Sequence, residues 1–386
     1  MQGTGRASRI EGGEFVVIRV AHLSTAHGRR EIRVHLKECN SLAFAGYEVH
    51  YVVADGLDDE RVGDVQVHDI GAAGGRFQRM LLRPWRMLAA ARKLNARVYH
   101  FHDPEILLIA LFLLRGGAKV VYDSHEDVPR SLLSRDWIPV WIRPALSAVF
   151  ERFENFVSHR LSGVVGATPY ITARFARLNP VSEAINNYPL QSEIEDAVPR
   201  IGDARTVCYL GGISRIRGIK EMVRALEYVD VKLILAGAFE DSATEQATRA
   251  LPGWSKVDYR GVVSRSAVRR IMAESSAGLI PYHPEPNHVD AQPNKMFEYM
   301  AAGMPVIASN FPLWCEIIEG NEFGLCADPL DPKAIASAIN DLVSNPQKSR
   351  GMGENGRKAV MDRYNWTVEE KKLLGFYADL LTVKQA

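Results

Sequence analysis

The segment from Pro293 to Glu298 combines a predicted helix start with a cation and a carboxylate. Pro293-Asn294 is typical of a helix N-terminus, where free N–H groups and the helix dipole attract anions such as a diphosphate. Glu298 falls in the second turn, where its carboxylate can accept hydrogen bonds from the two vicinal hydroxyls of a ribose. Lys295 lies one turn earlier on the same face, so it could reach a phosphate or pair with Glu298. These residue types predict a nucleoside diphosphate site; the alternatives are a carboxylate that only stabilises the helix and a solvated lysine.

A second basic segment, YLGGISRIRGIKEMVRAL at 209–226, directly follows a predicted strand. Its Arg215 and Arg217 are candidates for the diphosphate, because a planar guanidinium can hold two phosphate oxygens at once. The alternative is a solvated loop of basic residues. We expect Arg215, Arg217, Asn294 and Lys295 to bind the diphosphate together.

Histidines and carboxylates follow two predicted strands of the first half, in HFHDPEIL (100–107) and YDSHEDVP (122–129). Doubly wound sheets bind ligands at the carboxyl ends of their strands, so these residues are candidates for a second part of the site. A histidine such as His102 or His125 can hydrogen-bond a hydroxyl or transfer a proton near neutral pH. Glu126 can bind hydroxyls as well. The alternatives are structural strand-end histidines and carboxylates that cap the next helix.

These candidates require strands and helices that alternate twice along the chain. In the first half, β-branched runs predict strands at 16–24, 48–54, 96–102, 119–125 and 163–168. In the second half they predict strands at 206–211, 231–237, 256–261, 277–282 and 305–309. Most of these runs are continuously apolar, as expected for parallel strands covered on both faces. The pattern predicts an α/β protein with two Rossmann-like, doubly wound domains.

A polar stretch with two prolines at 187–204 interrupts the alternation and is interpreted as an interdomain linker. We therefore expect a disordered leader at 1–15, a first domain at 16–190 and a second domain at 205–365. A C-terminal helix at 366–386 can pack on either domain, including back on the first.

Composition and charge disfavour several other classes of protein. Basic and acidic residues nearly cancel, 47 against 46, and no nucleic-acid motif occurs, so nucleic acid is not an expected partner. The four cysteines are dispersed without a CxxC pair, which favours a reducing compartment over a disulfide framework or a zinc site. The longest apolar run, 106–114, is too short to span a bilayer, and the start does not read as a secretory signal. We expect a cytoplasmic protein that is soluble or attached only to the inner surface of a membrane.

The order of motifs from Gly278 to Ile339 resembles that of the family-4 retaining glycosyltransferases, which have the GT-B fold of two Rossmann-like domains facing a central cleft. In that family a strand ends in proline, a helix carries the second glutamate of a Glu-x7-Glu pattern, and an AxGxPVIAS strand and a DP dipeptide follow. Here Glu298 matches the second glutamate and Asp290 stands at the first. The resemblance implies that Glu298 binds the donor ribose and that Asp290 lies near the donor sugar.

The 209–226 segment is similar to the family's turn in which Gly-Arg is followed by Lys-Gly, whose basic pair binds the diphosphate. Gly212 replaces the arginine and Arg217 replaces the lysine, and Arg215 can supply the charge lost at Gly212. The resemblance therefore supports the same two arginines that the residue types single out.

The first half is similar to the family's HxHxP stretch and its later histidine. This resemblance implies that His125 lies near the reacting centre, with His102 or Asp103 nearby and Glu126 on the acceptor side. The family's Gly-Gly loop after the first strand is represented only by Gly28, which we expect on the acceptor side. The two arginines that follow Gly28 can add positive charge for an acceptor phosphate.

The resemblance implies retaining transfer of a sugar from a nucleotide-diphosphate sugar to a glycan or lipid-linked acceptor in surface polysaccharide synthesis, with His125, Asp290 and Glu298 as the catalytic set. It implies no required cofactor beyond the donor substrate and no metal, and no Asp-x-Asp motif occurs. Two alternatives remain open: a sugar-nucleotide 2-epimerase, and a non-catalytic partner subunit of an active transferase.

Two amphipathic segments with aromatic residues, of which the first is basic, bear on membrane attachment. RFQRMLLRPWRMLAAAR at 76–92 carries five arginines, and WIPVWIRPALSAVFERFENF at 137–156 is also amphipathic. Such segments can lie on anionic lipid, which would favour a lipid-linked acceptor. The alternative is an ordinary amphipathic helix that covers a sheet.

Overall fold

The computed structural model of the chain describes residues 8–11, 14–72, 82–114, 116–135, 137–195 and 205–382. The chain divides into two units, one formed by Met1–Asn187 with Thr367–Ala386 and the other by Tyr188–Trp366. Each unit has its own main sheet and its own hydrophobic core. Among the described residues, no helix has both the length and the apolar composition that crossing a bilayer demands.

The first unit contains an eight-stranded sheet, preceded by an antiparallel hairpin of β1 (Ser8–Glu11) and β2 (Glu14–Val17). The strands of the sheet are β3 (Arg19–Leu23), β4 (Glu48–Val53), β5 (Glu60–Val62), β6 (Val65–Asp69), β7 (Val98–Phe101), β8 (Lys119–Ser124), β9 (Gly163–Gly166) and β10 (Ser182–Ala184). Their order is β10-β9-β8-β7-β3-β4-β6-β5, and neighbours are parallel except β5 and β6. The chain reverses direction across the sheet at β3, between β4 and β7. This reversal opens a crevice at the carboxyl ends of β3 and β7.

The described helices of the first unit mostly connect these strands. They are α1 (Ile32–Cys39 with π-type turns, continuing as Asn40–Phe44), α2 (Arg83–Leu94), α3 (Leu107–Leu113, preceded by a 3-10 turn at Pro104–Ile106), α4 (Val128–Leu133), α5 (Arg143–Ser158) and α6 (Pro169–Ala176).

The second unit contains a parallel six-stranded sheet. Its strands are β11 (Thr206–Leu210), β12 (Lys232–Ala236), β13 (Val257–Gly261), β14 (Ala277–Ile280), β15 (Val306–Ser309) and β16 (Gly324–Ala327). The order is β13-β12-β11-β14-β15-β16, so the reversal point lies between β11 and β14. Every residue of β14 and β15 is buried, which accounts for their continuously apolar sequences.

The described helices of the second unit follow the same alternation. They are α7 (Gln191–Glu195), α8 (Ile219–Ala225), α9 (Ser242–Arg249), α10 (Arg265–Ala273), α11 (Asn294–Ala301), α12 (Pro312–Gly320), α13 (Pro332–Ser344) and α14 (Pro346–Asp362), with 3-10 turns at Arg215–Arg217, Leu226–Tyr228 and Pro252–Lys256. A last helix, α15 (Trp366–Thr382), begins at the final residue of this unit.

The last helix, α15, belongs to the first unit from Thr367 onward. Its Glu369 carboxylate accepts a hydrogen bond from the backbone N–H of Asn186 at 2.8 Å. Its Tyr377 hydroxyl lies 2.8 Å from Nδ1 of His100 on β7. Both contacts are buried, so the C-terminal helix contributes polar groups to the interior of the first unit.

The predicted fold class of two doubly wound parallel sheets is confirmed. The expectation of a disordered leader at 1–15 is wrong where the structure describes it, because Ser8–Glu11 pairs with Glu14–Val17. The sequence between the two strands is Gly12-Gly13, a dipeptide that favours two-residue hairpin loops, and Phe15, Val16 and Val17 favour a strand. Residues 1–7 and 12–13 lie outside the described residues. So do 73–81, which include the start of the predicted amphipathic segment at 76–92.

Candidate functional site

The turn after β11 in the second unit is built from glycines that let other groups approach its backbone closely. Gly211 has φ +122°, a conformation that side chains other than glycine rarely adopt. A Cβ at Gly211 would lie 2.4 Å from Nζ of Lys295, and one at Gly237 would lie 1.9 Å from the carbonyl oxygen of Gly211. The ends of β11 and β12 are therefore packed against each other, and the ammonium group of Lys295 lies directly over the turn.

Arg217 occupies the space above the next residue of this turn. Its Nη1 donates a hydrogen bond to the carbonyl oxygen of Gly212 at 3.0 Å, and a Cβ at Gly212 would lie 2.5 Å from that nitrogen. The absence of a side chain at Gly212 thus makes room for the Arg217 guanidinium. Arg215, two residues earlier, is exposed and makes no side-chain hydrogen bond or ion pair with the described residues. Of the two predicted arginines, the structure places only Arg217 at the glycine turn.

Helix α11 begins at Asn294, as the sequence predicts, and no side chain caps its N-terminus. Lys295 does not pair with Glu298; its ammonium group lies 5.7 Å from the centre of the Tyr209 ring. The helix start, Lys295 and the Gly211 turn are thereby brought together at the carboxyl end of β11. Free N–H groups and two cations in one place form a site for a polyanion.

Glu298 is half-buried on α11, and its carboxylate has no hydrogen bond or ion pair with the described residues. The orientation of the helix is fixed by its other faces. The Tyr299 hydroxyl accepts a hydrogen bond from the backbone N–H of Leu210 at 3.2 Å, and the Tyr299 ring fills the space that a Cβ at Gly278 would take. Met296 is also fully buried. A rigidly placed carboxylate without a protein partner is available to accept hydrogen bonds from a ligand.

Asp290 lies half-buried in a turn at 286–290 and also lacks a side-chain partner among the residues that the structure describes. The neighbouring His288 is buried against the Tyr282 ring and contacts the carbonyl oxygen of His283 at 3.1 Å. His288 therefore supports the turn from below. Asp290 remains the predicted contact to a sugar.

In the first unit, His125 is the one of the predicted histidines that reaches the surface. Its Nε2 lies 2.9 Å from Oδ2 of Asp123, and its ring packs on the half-buried ring of His27 at 4.8 Å between centroids. His102 lies beneath it, fully buried, with Nδ1 3.1 Å from the same Asp123 oxygen. Burial lowers the pKa of His102 to about 4, so its imidazole is neutral near neutral pH. We predicted His102 at the site, and the structure places it where it supports His125.

Behind these groups lies a buried ion pair that the sequence analysis did not predict. Arg33 on α1 holds Asp123 through two hydrogen bonds, Nε to Oδ2 at 2.9 Å and Nη2 to Oδ1 at 2.8 Å. Burial alone would raise the pKa of Asp123, but Arg33 and then His125 hold that pKa well below its usual range. Glu38 lies 3.2 Å from Arg33, and its pKa is raised well above the ordinary value by burial and by the charge of Asp123. Glu38 therefore favours its protonated form, whereas Asp123 favours its charged form opposite Arg33.

Glu38, His100, His102 and Asp123 offer ligand atoms that lie within 4.8 Å of one another. A metal ion at their centre would lie beside the Arg33 guanidinium, which is already paired with the Asp123 carboxylate. Like charges at such short range in a buried site repel strongly. Neutral imidazoles already form a chain to Asp123, in which His22 donates to His102 at 2.9 Å and His102 donates to Asp123. We therefore interpret the cluster as a hydrogen-bond network.

Asp103 is buried beneath the loop after β3 and holds its backbone. Its Oδ2 accepts hydrogen bonds from Ser24 Oγ and Thr25 N, both at 2.6 Å, and from Ala26 N at 3.2 Å. With these oxygens engaged, Asp103 positions the loop that leads to Gly28. Gly28 itself is exposed, and nothing described lies within 4 Å of the place where a Cβ would be.

The charges next to Gly28 are already paired. Arg29 donates to both carboxylate oxygens of Asp55 at 2.7 Å and lies 3.0 Å from Glu60. Hydrogen bonding to Asp55 raises the pKa of Arg29 above its ordinary value. The expectation that both arginines after Gly28 add charge for an acceptor phosphate is therefore wrong for Arg29, because two carboxylates neutralise it. A cavity of about 570 Å³ lies between Gly28 and the segment 55–60.

The remaining predicted residues follow β8. Glu126 is exposed and forms an ion pair with Arg135 at 3.2 Å, so its carboxylate is partly engaged. Asp127 caps α4 by accepting from the backbone N–H of Arg130 at 3.4 Å. Of the two roles that the sequence left open for these carboxylates, capping applies to Asp127.

Comparison with known proteins bears on both halves of the chain. The family model described as "Glycosyl transferases group 1" matches residues 191–359, and the model described as "Glycosyl transferase 4-like domain" matches residues 33–186. An uncharacterized glycosyltransferase of Methanocaldococcus jannaschii is 26% identical over 185 residues, which is 45% of this chain and 45% of the relative. The chain thus spans about half the length of the first curated relatives that it matches.

Solved structures resemble the fold over nearly the whole chain. Sucrose-phosphate synthase from Thermosynechococcus elongatus has a TM-score of 0.76 at 19% identity and covers 95% of this chain and 100% of its own. Anabaena HepE in complex with UDP and glucose has a TM-score of 0.70 at 14% identity and covers 94% of this chain and 100% of its own. At these identities the likeness concerns the fold.

Proposed function

We propose a function from the premise that this chain belongs to the group 1 glycosyltransferases, with a glycosyl transferase 4-like first half. It moves a sugar from a nucleotide-diphosphate sugar to a glycan or lipid-linked acceptor, with retention of configuration at the transferred carbon. The observation that carries the proposal is the convergence of Lys295, Arg217 and the uncapped start of α11 on the glycine turn after β11. These groups suit a diphosphate, and Glu298 on the same helix suits a ribose.

The donor end of the reaction follows from these charges. When the bond between the sugar and the diphosphate breaks, negative charge grows on the leaving phosphate oxygen. Arg217, Lys295 and the N–H groups of α11 are already placed near one another, so they stabilise this charge without reorganising. Asp290, half-buried and without a described partner, accepts hydrogen bonds from hydroxyls of the donor sugar.

The acceptor end rests on His125. Because its Nε2–H donates to Asp123, its other ring nitrogen, Nδ1, is left as a hydrogen-bond acceptor. An acceptor Nδ1 can orient a sugar hydroxyl or receive its proton. Asp123 and Arg33 are positioning residues in this proposal, since they fix the tautomer and orientation of His125 and touch no substrate.

We propose that the protein meets its acceptor at a membrane surface, as part of surface polysaccharide synthesis. Three large apolar side chains before α5 are exposed: Trp137 by 57%, Val140 by 71% and Trp141 by 81%. Aromatic side chains of this kind favour the interface between headgroups and acyl chains. Flotation with vesicles of neutral lipid, with and without anionic lipid, tests this part. We expect binding that weakens in Trp141→Ser, and no recovery in the lipid fraction would contradict it.

The reaction itself is tested by a screen of nucleoside diphosphates and their sugars. A matching donor at 100 times its Kd should stabilise the fold by about 2.7 kcal/mol, measured as a shift in Tm. Incubation of that donor with candidate acceptors should then release the nucleoside diphosphate and form a glycoside of retained configuration. An epimerised nucleotide sugar as the product would identify an epimerase instead. Donor binding without turnover, with activity only after a second chain is added, would identify a partner subunit.

A further inference from the structure

Two of the four cysteines are brought together at the edge of the second sheet. Cys315 lies on α12 and Cys326 on β16, and Glu319 lies one helical turn after Cys315 on the same face. One ligand atom from each of the three residues lies within 4.8 Å of the other two. Both thiols are free and half-buried, and the carboxylate is exposed. The three groups therefore form a small cluster that opens to solvent through Glu319.

We propose that Cys315, Glu319 and Cys326 bind one zinc ion, with water in the fourth position. Two thiolates and a carboxylate are common zinc ligands, with bonds of about 2.3 Å to sulfur and about 2.1 Å to oxygen. Three atoms at such distances from one ion lie within about 4 Å of one another, which fits the observed limit. The site is distinct from the proposed donor site and requires nothing of the transferase reaction.

The scaffold holds the three ligands in fixed positions. α12 connects β15 to β16, and Cys326 is in register with Ala308 of β15. The opposite face of α12 is anchored by Trp314, which is fully buried and donates from Nε1 to the carbonyl oxygen of Ala291 at 2.6 Å. An ion at the cluster would therefore join a helix to an edge strand that are both already rigid, with little ordering cost.

Thiols bind zinc as thiolates, and a divalent ion offsets the repulsion between two thiolates and a carboxylate held this close together. Binding must release thiol protons, so zinc affinity should fall as the pH is lowered.

The test uses the full chain, kept reduced with a phosphine and stripped of metal with a chelator, and Zn²⁺ alone as the probe. We expect one equivalent of zinc to bind, and Co²⁺ in its place to give a thiolate-to-metal absorption band. Cys315→Ala and Cys326→Ala should lose more than the roughly 10- to 100-fold in affinity that changes around a metal ligand typically cost. Glu319→Gln, at an exposed position that cannot disturb the core, should weaken binding and leave the cobalt–thiolate band in place.

Two controls separate the site from adventitious binding. Cys39→Ala removes a thiol of the first unit and Glu316→Gln removes a neighbouring carboxylate of α12; both should bind zinc as the wild type does. No bound zinc in the wild type, or equal affinity in Cys315→Ala, Glu319→Gln and the controls, would overturn the proposal. Should the cysteine variants unfold, Glu319→Gln against Glu316→Gln still decides it.

Discussion

The carboxyl edges of the two sheets hold similar polar residues in opposite states. In the first unit, Asp103 and Asp123 are buried and their oxygens are used by protein donors. In the second unit, Glu298 and Asp290 have no described protein partner, and the Lys295 ammonium group packs over backbone and an aromatic ring. At the first edge the aspartates are held by protein donors, and we call these residues the platform. At the second edge the charged groups are left for a ligand to bind. Substitutions should therefore affect stability in the first unit and ligand binding in the second.

The largest effect is expected from breaking the platform. Arg33→Met leaves Asp123 buried without its main cation, which should reduce the free energy of unfolding by about 3–5 kcal/mol. Urea denaturation measures this, with Arg86→Met at an exposed position of α2 as the matched control, expected to change stability by less than about 0.5 kcal/mol. Equal stability of the two variants would contradict the role of the buried ion pair.

The pH dependence of stability comes from the same cluster. Burial lowers the pKa values of His22 and His100 well below 6.5 and that of His102 to about 4. The unfolded chain therefore takes up protons on these histidines as the pH falls through about 6.5, and the folded chain does not until lower pH. The raised pKa of Glu38 opposes this with one proton, because the folded state takes up that proton first.

Each histidine that stays neutral in the folded chain lowers the free energy of unfolding by up to about 1.4 kcal/mol per pH unit below about pH 6.5. Thermal unfolding between about pH 7 and about pH 5 should show this loss, and His100→Asn should reduce the slope. A Tm that is constant or rises over this range would be inconsistent with buried neutral histidines.

In the second unit, substitutions should change ligand affinity more than the stability of the fold. Arg217→Ala removes a charge-assisted contact to the diphosphate, which should weaken nucleoside diphosphate binding by roughly 10- to 100-fold. Calorimetric titration measures the affinity, and Arg224→Ala, at an exposed position of α8, is the control. Unchanged affinity would remove Arg217 from the site.

The smallest effect is expected for Lys295→Met, which keeps the length of the side chain and removes its charge. One point charge near a phosphate is worth about 1 kcal/mol, so the affinity should fall several-fold. Lys232→Met, at the opposite end of β12, should leave it unchanged. A larger fall than that for Arg217→Ala would show that the ammonium group, more than the guanidinium, holds the diphosphate.

More of the candidate site could be predicted from sequence in the second unit than in the first, for a physical reason. The helix start at Asn294 and the carboxylate of Glu298 lie within one local segment, so helix periodicity alone places them. The contact between Lys295 and Gly211 joins residues far apart in sequence, and only the pairing of β11 with β14 brings them together.

The first unit was harder to predict because its polar residues act on one another. His102 and Asp103 were correctly placed at a strand end, but their burial depends on the loop after β3 that folds over them. Arg33 sits on a helix that the sequence predicts, and an arginine on the inward face of an amphipathic helix is the signal that could have revealed the ion pair. The meeting of Cys315 and Cys326 likewise depends on strand order and has no spacing motif.

We propose that Glu298 binds the ribose of a nucleoside diphosphate, and a paired titration tests this role. The wild type and Glu298→Ala are each titrated with a nucleoside diphosphate and with its 2′,3′-dideoxy analogue, and Glu354→Ala serves as the exposed carboxylate control. We expect the wild type to prefer the full ribose by roughly 10- to 100-fold, and Glu298→Ala to bind both ligands equally, at the weaker affinity. A preference for the full ribose that persists in Glu298→Ala would rule out ribose binding by Glu298.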